Sequence, residues 1–493
     1  MTSHGPDATG TDWERMLDAS PPSSGELRRI YRVFGNLDTL LTFAYLYHAR
    51  RGFWCVCSEY LTYVLTIGFT TLYAPLLLLC VDWLNVMHCQ DASECVIFRY
   101  MGGEYTTSGW VCAGLFLSMC AGFLIWNVAY CALAIRRFYA IRRLLPLQCE
   151  WSDACEHIAS FVEMLHVPEL RRRLSMSDIN QRITRNDAFM SAFVHQALFD
   201  CPSTPVRFSQ ARLTKTLEWG ISRCIFSGMI HPDGTLNAAF VHAPHRLRWQ
   251  FRVLGCVMAV VSPFMFVFIC IYYFLKYAEY VYKNPIYMAT RRWSPYARLR
   301  MRVHGELPHL MSSRLTLAYK SVDLFIGKYP HHLPCIWGRF VAFILGSFVG
   351  TILAIGVLSE RALLFRIGEH DLLWVLALLS AVILFIRSST EIPQASHEAV
   401  DVDLSKLQSY MHHVPRNWHV CSSDQVALDL QRLCPPVALF FLHELLGILT
   451  TPMHLYFSIS YRAADIVEFV QARSTTVENV GVICQPNYEN WEM

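Results

Sequence analysis

Six stretches of this chain run almost without Asp, Glu, Lys or Arg, and they limit its folds more than any other feature. A membrane-crossing helix needs about 20 mostly apolar residues to pass roughly 30 Å of hydrocarbon. The stretches are Tyr60 to Val81, Gly109 to Ile135, Val253 to Leu275 with Pro263 at its middle, Phe340 to Leu358, the shorter Leu372 to Ile386, and Leu433 to Tyr461. The last carries His443 and Glu444 at its centre, with Pro435, Pro436 and Pro452 around them. The composition agrees: only 16% of residues are charged and 54% are hydrophobic, against roughly 25% charged in an average soluble domain. Intrinsic disorder is excluded, and the low charge argues against a soluble enzyme with a single core. The 42 Lys and Arg nearly balance the 39 Asp and Glu, so there is no nucleic-acid footprint and no nucleic-acid partner is expected.

Loop charge predicts the topology, because basic residues favour the cytosolic side. Arg50 and Arg51 precede the first run, and Arg136, Arg137, Arg142 and Arg143 follow the second. The loop Trp83 to Ser108 holds one Arg and three acidic residues, so these two runs read as a hairpin turned away from the cytosol. The fourth and fifth runs read as another, with Lys328 and Arg339 before it and Arg387 after it. The third run has basic residues at both ends: Arg246, Arg248 and Arg252 before it, then 11 basic against three acidic residues from Lys276 to Arg339. Such flanks and Pro263 predict a re-entrant element that dips in and returns. The sixth run invites the same reading, because a charge at the bilayer centre costs about 3 kcal/mol or more. The expected fold is therefore an all-α polytopic membrane protein with four transmembrane helices and two re-entrant helices. Six plain spans are the alternative.

This divides the chain into a short disordered cytosolic N-tail (1–28), a cytosolic helix with the first transmembrane hairpin (29–136), and a cytosolic helical region (137–252). There follow the first re-entrant helix (253–275), basic cytosolic helices (276–339) and the second transmembrane hairpin (340–387). Cytosolic helices (388–432), the second re-entrant helix (433–461) and a cytosolic C-terminal segment (462–493) complete it. The first 30 residues lack an apolar signal core, so both termini are expected in the cytosol. In the 137–252 region Ile158, Phe161, Val162 and Leu165 recur at helical spacing, and Ser175-x-x-Asp178 has the form of a helix N-cap. Asp424 to Leu433 reads as an amphipathic helix leading into the sixth run.

Several strings go beyond composition. Asn36-Leu37-Asp38 is followed by Tyr45, Tyr47-His48 and Gly52-Phe53, and Cys80-Val81-Asp82-Trp83 closes the first run. Tyr277-Ala278-Glu279 leads to Pro285, Trp293-Ser294, Tyr296, Arg298, Arg302, Glu306-Leu307, His309, Arg314-Leu315 and Tyr319-Lys320. Glu444-Leu445-Leu446 precedes Thr451-Pro452, Arg462-Ala463, Ile466, Phe469, Thr476-Val477-Glu478 and Val480-Gly481. Together, from about Tyr31 to Gly481, these resemble the autophagy-related protein 9 family. The resemblance implies a domain-swapped homotrimer. It also implies ATP-independent scrambling of phospholipids between the leaflets of autophagy vesicles and the growing phagophore, beside a bridge-like lipid-transfer protein. The expected location is multi-pass in cytoplasmic vesicles, Golgi and endosomes, and the phagophore assembly site. A vesicle scaffold that scrambles little, or an ion channel, are the rival readings.

A scramblase breaks no bond and needs no cofactor; it lowers the cost of drawing a polar headgroup through hydrocarbon. A hydrated path does so by replacing headgroup hydration, with Arg suited to phosphate by its planar fork. The expected lipid path comprises Lys283, Asn284, Arg298, Arg302, Glu306, Arg314, Lys320, His443 and Glu444. The family's charged triplet before Pro285 reads Tyr282-Lys283-Asn284 here, which leaves Lys283 as its one charge. Structural roles compete at each position: a salt bridge for Arg298, Arg302, Glu306 and Arg314, and for Glu444 a pin that holds the re-entrant turn. Glu59 is expected to be paired or snorkelling. Gly346 and Gly350 form a small-xxx-small face. Cys89 and Cys95 lie in the first hairpin's loop, where an oxidising compartment permits a disulfide. His195-x-x-x-x-Asp200 has an acyltransferase spacing without a companion motif, and His331-His332 and His412-His413 lack partners at metal-ligand spacing. Neither an enzyme nor a metal site is expected.

Overall fold

The computed structural model describes residues 24–81, 107–145, 150–165, 167, 170–202, 207–231, 233–283, 287–288, 290–328, 332–358, 366–367, 370–390, 404–411, 414–415, 417–485 and 491–492. They are overwhelmingly helical. Helices α1 (Ser24–Phe34) and α2 (Leu37–Ala49) lead into α3 (Phe53–Pro75) and α4 (Thr107–Arg142). Asn36 caps α2, its side chain accepting the Thr39 N–H at 2.9 Å. Phe34, Tyr45, Tyr47, Phe138 and Ile141 join Trp151, Ile158, Phe161 and Val162 of α5 (Trp151–Met164) in one apolar core. Glu59 is paired, with Arg50 at 3.2 Å.

Helix α6 (Met176–His195) starts with the expected cap in its reciprocal form. Ser175 Oγ accepts the Asp178 N–H at 3.2 Å, and the Asp178 carboxylate accepts the Ser175 N–H at 3.0 Å. A second core gathers α6, α7 (Lys215–Met229), the start of α8 (Pro244–Lys283) and the closing helices of the chain. A third packs α9 (Pro295–Arg300) and α10 (Pro308–Lys328) against α13 (Leu404–Met411) and α14 (Ser423–Leu433). Between the last two groups, α11 (His332–Leu358) and α12 (Leu372–Thr390) lie along each other. Among the described residues, neither packs extensively on any other helix. Gly346 and Gly350 face open space on α11.

Among the described residues, five helical stretches are long and apolar enough to cross a membrane: Phe53–Cys80, Trp110–Arg142, Pro244–Tyr280, Ile336–Leu358 and Val437–Arg473. The fifth run falls short of that length, its apolar helix covering Leu372–Ile383. One expectation is corrected. The chain does not turn back at Pro263, because α8 continues through it as one helix of 40 residues. Proline removes one helical N–H and orphans the carbonyl four residues earlier. Here that carbonyl is Ala259's, and the Ser262 hydroxyl donates to it at 3.3 Å. The adjacent serine thus repairs the break, as hydroxyls do in apolar surroundings. The sixth run is likewise helical through Pro452: α15 (Val437–Met453) passes into a π turn, His454–Ser458, and a 3₁₀ turn, Ile459–Arg462, before α16 (Ala463–Arg473).

After α16 the chain forms a hairpin, β1 (Ser474–Val477) with β2 (Gly481–Cys484). Asn479 and Gly481 at its tip have φ of +64° and +82°. A side chain on Gly481 would collide with the Gly234 carbonyl. Arg182 and Arg185 of α6, whose side chains are only 2% and 3% exposed, reach across to this tip. Arg182 Nε donates to the Asn479 carbonyl at 2.6 Å, and Arg185 donates to that of Val480. Both guanidinium groups also pair with Asp38 of α2, at 3.1 and 2.9 Å. Two strings far apart in sequence, around Asp38 and around Val480, thereby share one charged knot.

Candidate functional site

The segment before α9 is set by pairing with the segment before α15. Arg292 N donates to the Pro435 carbonyl and Ser294 N to that of Leu433, each at 2.9 Å, while Val437 N donates to Thr290 at 2.7 Å. Ser294 then caps α9, accepting the Ala297 N–H at 3.1 Å, with Pro295 at the first helical position. Serine followed by proline is a strong helix start, because proline lacks an N–H that would be orphaned there anyway.

Opposite lies the start of α7. Thr214 caps it, and its first N–H, that of Lys215, is taken by Glu444 of α15 through both carboxylate oxygens at 3.2 and 3.1 Å. A carboxylate there also suits the positive end of the helix dipole. One turn beyond Glu444, a Cβ on Gly447 would sit 2.5 Å from Thr214 Cγ2. The absence of a side chain is what lets α15 approach so closely.

Between these walls is a cavity of about 360 Å³, lined by Asp187, Lys215, Glu218, Arg292, Arg298, Arg302 and Phe440 among others. Arg302 is anchored: its side chain is 7% exposed, pairs with Asp187 at 2.8 Å and donates to the Glu306 carbonyl at 3.1 Å. Arg298 is exposed toward the cavity, with a single long contact to Ser312 Oγ at 3.4 Å. Arg292 and Lys215 sit 5.5 and 5.8 Å from the Phe440 ring centre, in cation–π range. The Glu218 pKa is pushed up from the ordinary carboxylate range to about 7, chiefly by desolvation and then by the charges of Asp187 and Glu444. The cavity thus offers a cationic cluster for phosphate, beside acidic groups for an amine.

The structure divides the expected path. Arg298 and Arg302 line the cavity, and Glu444 supports its floor. Glu306 and Arg314 face each other in a fork, at 2.9 and 2.7 Å, with their side chains 11% and 9% exposed. Arg314 also donates to the carbonyls of Met411 and Met301, at 2.5 and 2.8 Å. Both residues are engaged inside the protein as a clasp between α10 and its neighbours, the salt-bridge role weighed for them beside path lining. Lys283 is exposed at the end of α8 and pairs with Glu279 one turn back. Lys320 is exposed on α10, and His443 is half-buried on α15; none of these three lines the cavity. Asn284, Cys89 and Cys95 lie outside the described residues. Asp200 accepts the Gln210 N–H at 2.7 Å, a structural use. Among the described residues, no cluster of His, Cys, Asp and Glu could hold a metal ion. Asp187, Lys215 and Glu218 were missed from sequence; they come from α6 and α7, and no local motif signals them.

Fold and site define a class: a multi-pass helical membrane protein with a cationic cavity beside its last apolar helix. Over residues 30–487 the chain matches the family described as Autophagy protein ATG9, and it belongs to that family. It is 26% identical to Autophagy-related protein 9 of Neurospora crassa and 24% identical to that of Arabidopsis thaliana, in each case over 91% of this chain. Those alignments cover 53% and 56% of the relatives, so the chain spans about half their length. The cryo-EM structure of Schizosaccharomyces pombe Atg9 shares the fold, with a TM-score of 0.62 at 23% identity, covering 91% of this chain and 97% of that one.

Proposed function

We propose that this autophagy protein is an ATP-independent phospholipid scramblase, with no covalent chemistry of its own. It equilibrates lipids between the leaflets of autophagy vesicles and the growing phagophore. The single observation that carries the reading is the cavity beside α15, where Arg292, Arg298, Arg302 and Lys215 gather with Glu218 and Asp187. Arg298 offers a guanidinium that the protein itself barely uses. A phosphodiester can exchange water for that fork, and an ammonium can exchange it for the carboxylates, while the acyl chains stay in lipid. Lys283, Asn284 and Lys320 belong to the basic approach to this path, and His443 to its membrane side. The working unit is a domain-swapped homotrimer. The stand-off of α11 and α12 supports that reading, because a hairpin with so little packing on its own chain suits a neighbour's surface. Each protomer has four spans and two further helices that enter the membrane without crossing it; α8, unbroken over 40 residues or about 60 Å, lies obliquely. The partner is a bridge-like lipid-transfer protein that delivers lipid to one leaflet, and the sites are vesicles, Golgi, endosomes and the phagophore assembly site, with both termini cytosolic.

The test is dithionite bleaching of proteoliposomes with a fluorescent lipid in both leaflets. Near-complete bleaching, slowed several-fold by Arg298→Leu with the trimer intact, is expected. Bleaching that stops near half, as in protein-free vesicles, overturns the proposal in favour of a scaffold; near-complete bleaching accompanied by ion flux marks a channel.

A further inference from the structure

The start of α8 carries a charge pattern that runs against its own dipole. Its first turn has no acidic residue, although the N-terminus of a helix favours negative charge. Instead His245, Arg248, Trp249 and Arg252 fall on one face at spacings of three and four, with Arg246 beside them. Arg246, Trp249 and His245 are exposed. Among the described residues none of the three arginines is in an ion pair with a carboxylate. Two of the arginines are braced against the turns after α15. Arg248 and Arg252 each lie 6.0 Å from the Tyr461 ring centre, and Arg252 lies 5.7 Å from that of Tyr456. Arg248 Nε donates to the Ser460 carbonyl at 3.2 Å, which orients its fork. Arg252 Nε is buried with no hydrogen-bond partner. His245, Arg246, Arg248, Trp249, Gln250 and Arg252, all on the first turns of α8, line a cleft of about 570 Å³, within the range of small-ligand sites.

We propose that this cleft is a binding site for the phosphomonoester headgroup of an anionic lipid, distinct from the cavity beside α15. The placement selects the source. The cleft lies immediately before the apolar run beginning at Val253, so it meets the bilayer surface where headgroups sit, and Trp249, 66% exposed, belongs at that interface. The charge selects the headgroup. Arginine forks on two successive turns can each take two oxygens of one phosphate. A phosphomonoester at neutral pH carries up to two negative charges, close to phosphoprotein chemistry, and meets three guanidinium groups with no competing carboxylate. A zwitterionic headgroup brings an ammonium into the same field and is disfavoured. Merely interfacial arginines would instead respond to any anionic surface.

The experiment is native mass spectrometry of the full-length chain released from nanodiscs of phosphatidylcholine. The discs are doped with equal small fractions of phosphatidic acid or phosphatidylserine. At least about tenfold preferential retention of phosphatidic acid over phosphatidylserine is expected. That preference should fall to near unity in the Arg248→Gln/Arg252→Gln variant and persist in Arg223→Gln, an exposed arginine on α7. Arg246→Gln removes an exposed side chain and provides the informative variant should the double change fail to fold; it should reduce retention several-fold. Equal retention of the two anionic lipids, or undiminished retention in Arg246→Gln and the double variant, overturns the proposal. So does displacement of the lipid by inorganic phosphate or free inositol hexakisphosphate at equal concentration, which would mark a soluble anion as the occupant. Scrambling is not a readout here, so its absence would leave this result intact.

Discussion

Glu444 reaches from α15 to the first N–H of α7, accepting the Lys215 backbone proton with both carboxylate oxygens at 3.2 and 3.1 Å. The intramembrane carboxylate that reads from sequence as a functional group is thus used as a helix cap. Glu444→Ala leaves that N–H without its acceptor, at a cost of about 1–3 kcal/mol. Glu444→Gln keeps an acceptor and should lose less. Thermal melts of the purified protein in detergent check this: equal melting of wild type and Glu444→Ala would refute the capping role.

Gly447→Ala should destabilise the same junction. The new Cβ would meet Thr214 Cγ2 at 2.5 Å, and overpacking of this kind costs typically about 1–3 kcal/mol. Adding Thr214→Ser removes the offending methyl while keeping the hydroxyl cap, so the double variant should recover part of the loss. A double variant no better than Gly447→Ala would place the strain elsewhere.

The knot around Asp38 predicts a larger effect. Asp38→Ala strips the carboxylate from Arg182 and Arg185, whose side chains are almost wholly buried. Breaking a buried pair by removing one partner costs about 3–5 kcal/mol. Limited proteolysis should then cut the C-terminal hairpin region faster, because Arg182 and Arg185 also hold the carbonyls of Asn479 and Val480. Unchanged cleavage there would show that the two ends are held independently.

Glu218 gives a pH dependence with a definite sign. Its folded pKa, about 7, lies above the ordinary 4.5, so the folded state binds this proton more tightly than the unfolded state. The resulting stability is fully present below about 4.5 and is lost as pH rises through about 7. Relative to Glu218→Gln, the wild type should lose melting temperature between pH 5 and pH 8. Parallel pH profiles for the two proteins would contradict the assignment.

Much of this architecture is legible in local signals. Apolar runs place the long helices, and Ser175-x-x-Asp178 and Ser294-Pro295 mark helix starts because the chemistry of a cap is confined to four residues. Pro263 misleads, since its effect depends on whether the freed carbonyl finds a donor, and Ser262 supplies one. The cavity is only half legible. Arg298 and Arg302 stand in a recognisable basic string, but Asp187 and Glu218 reach the site through tertiary packing from helices about 80 to 115 residues upstream. Glu306 and Arg314 show the converse: two charges in the same string consume each other, and nothing in an eight-residue spacing announces it.

The charged knot also imposes an order on synthesis. Arg182 and Arg185 meet Asp38 early, but the carbonyls they finally hold, at Asn479 and Val480, emerge 297 and 295 residues later. At about 5–20 residues per second, that is roughly 15–60 s of translation. Until then the two guanidinium groups lack those carbonyl partners and have the Asp38 carboxylate to share. The hairpin is therefore a latch that can close only once residues 479 and 480 have been made, so the fastening of this charged knot waits on a segment far downstream of the residues it joins.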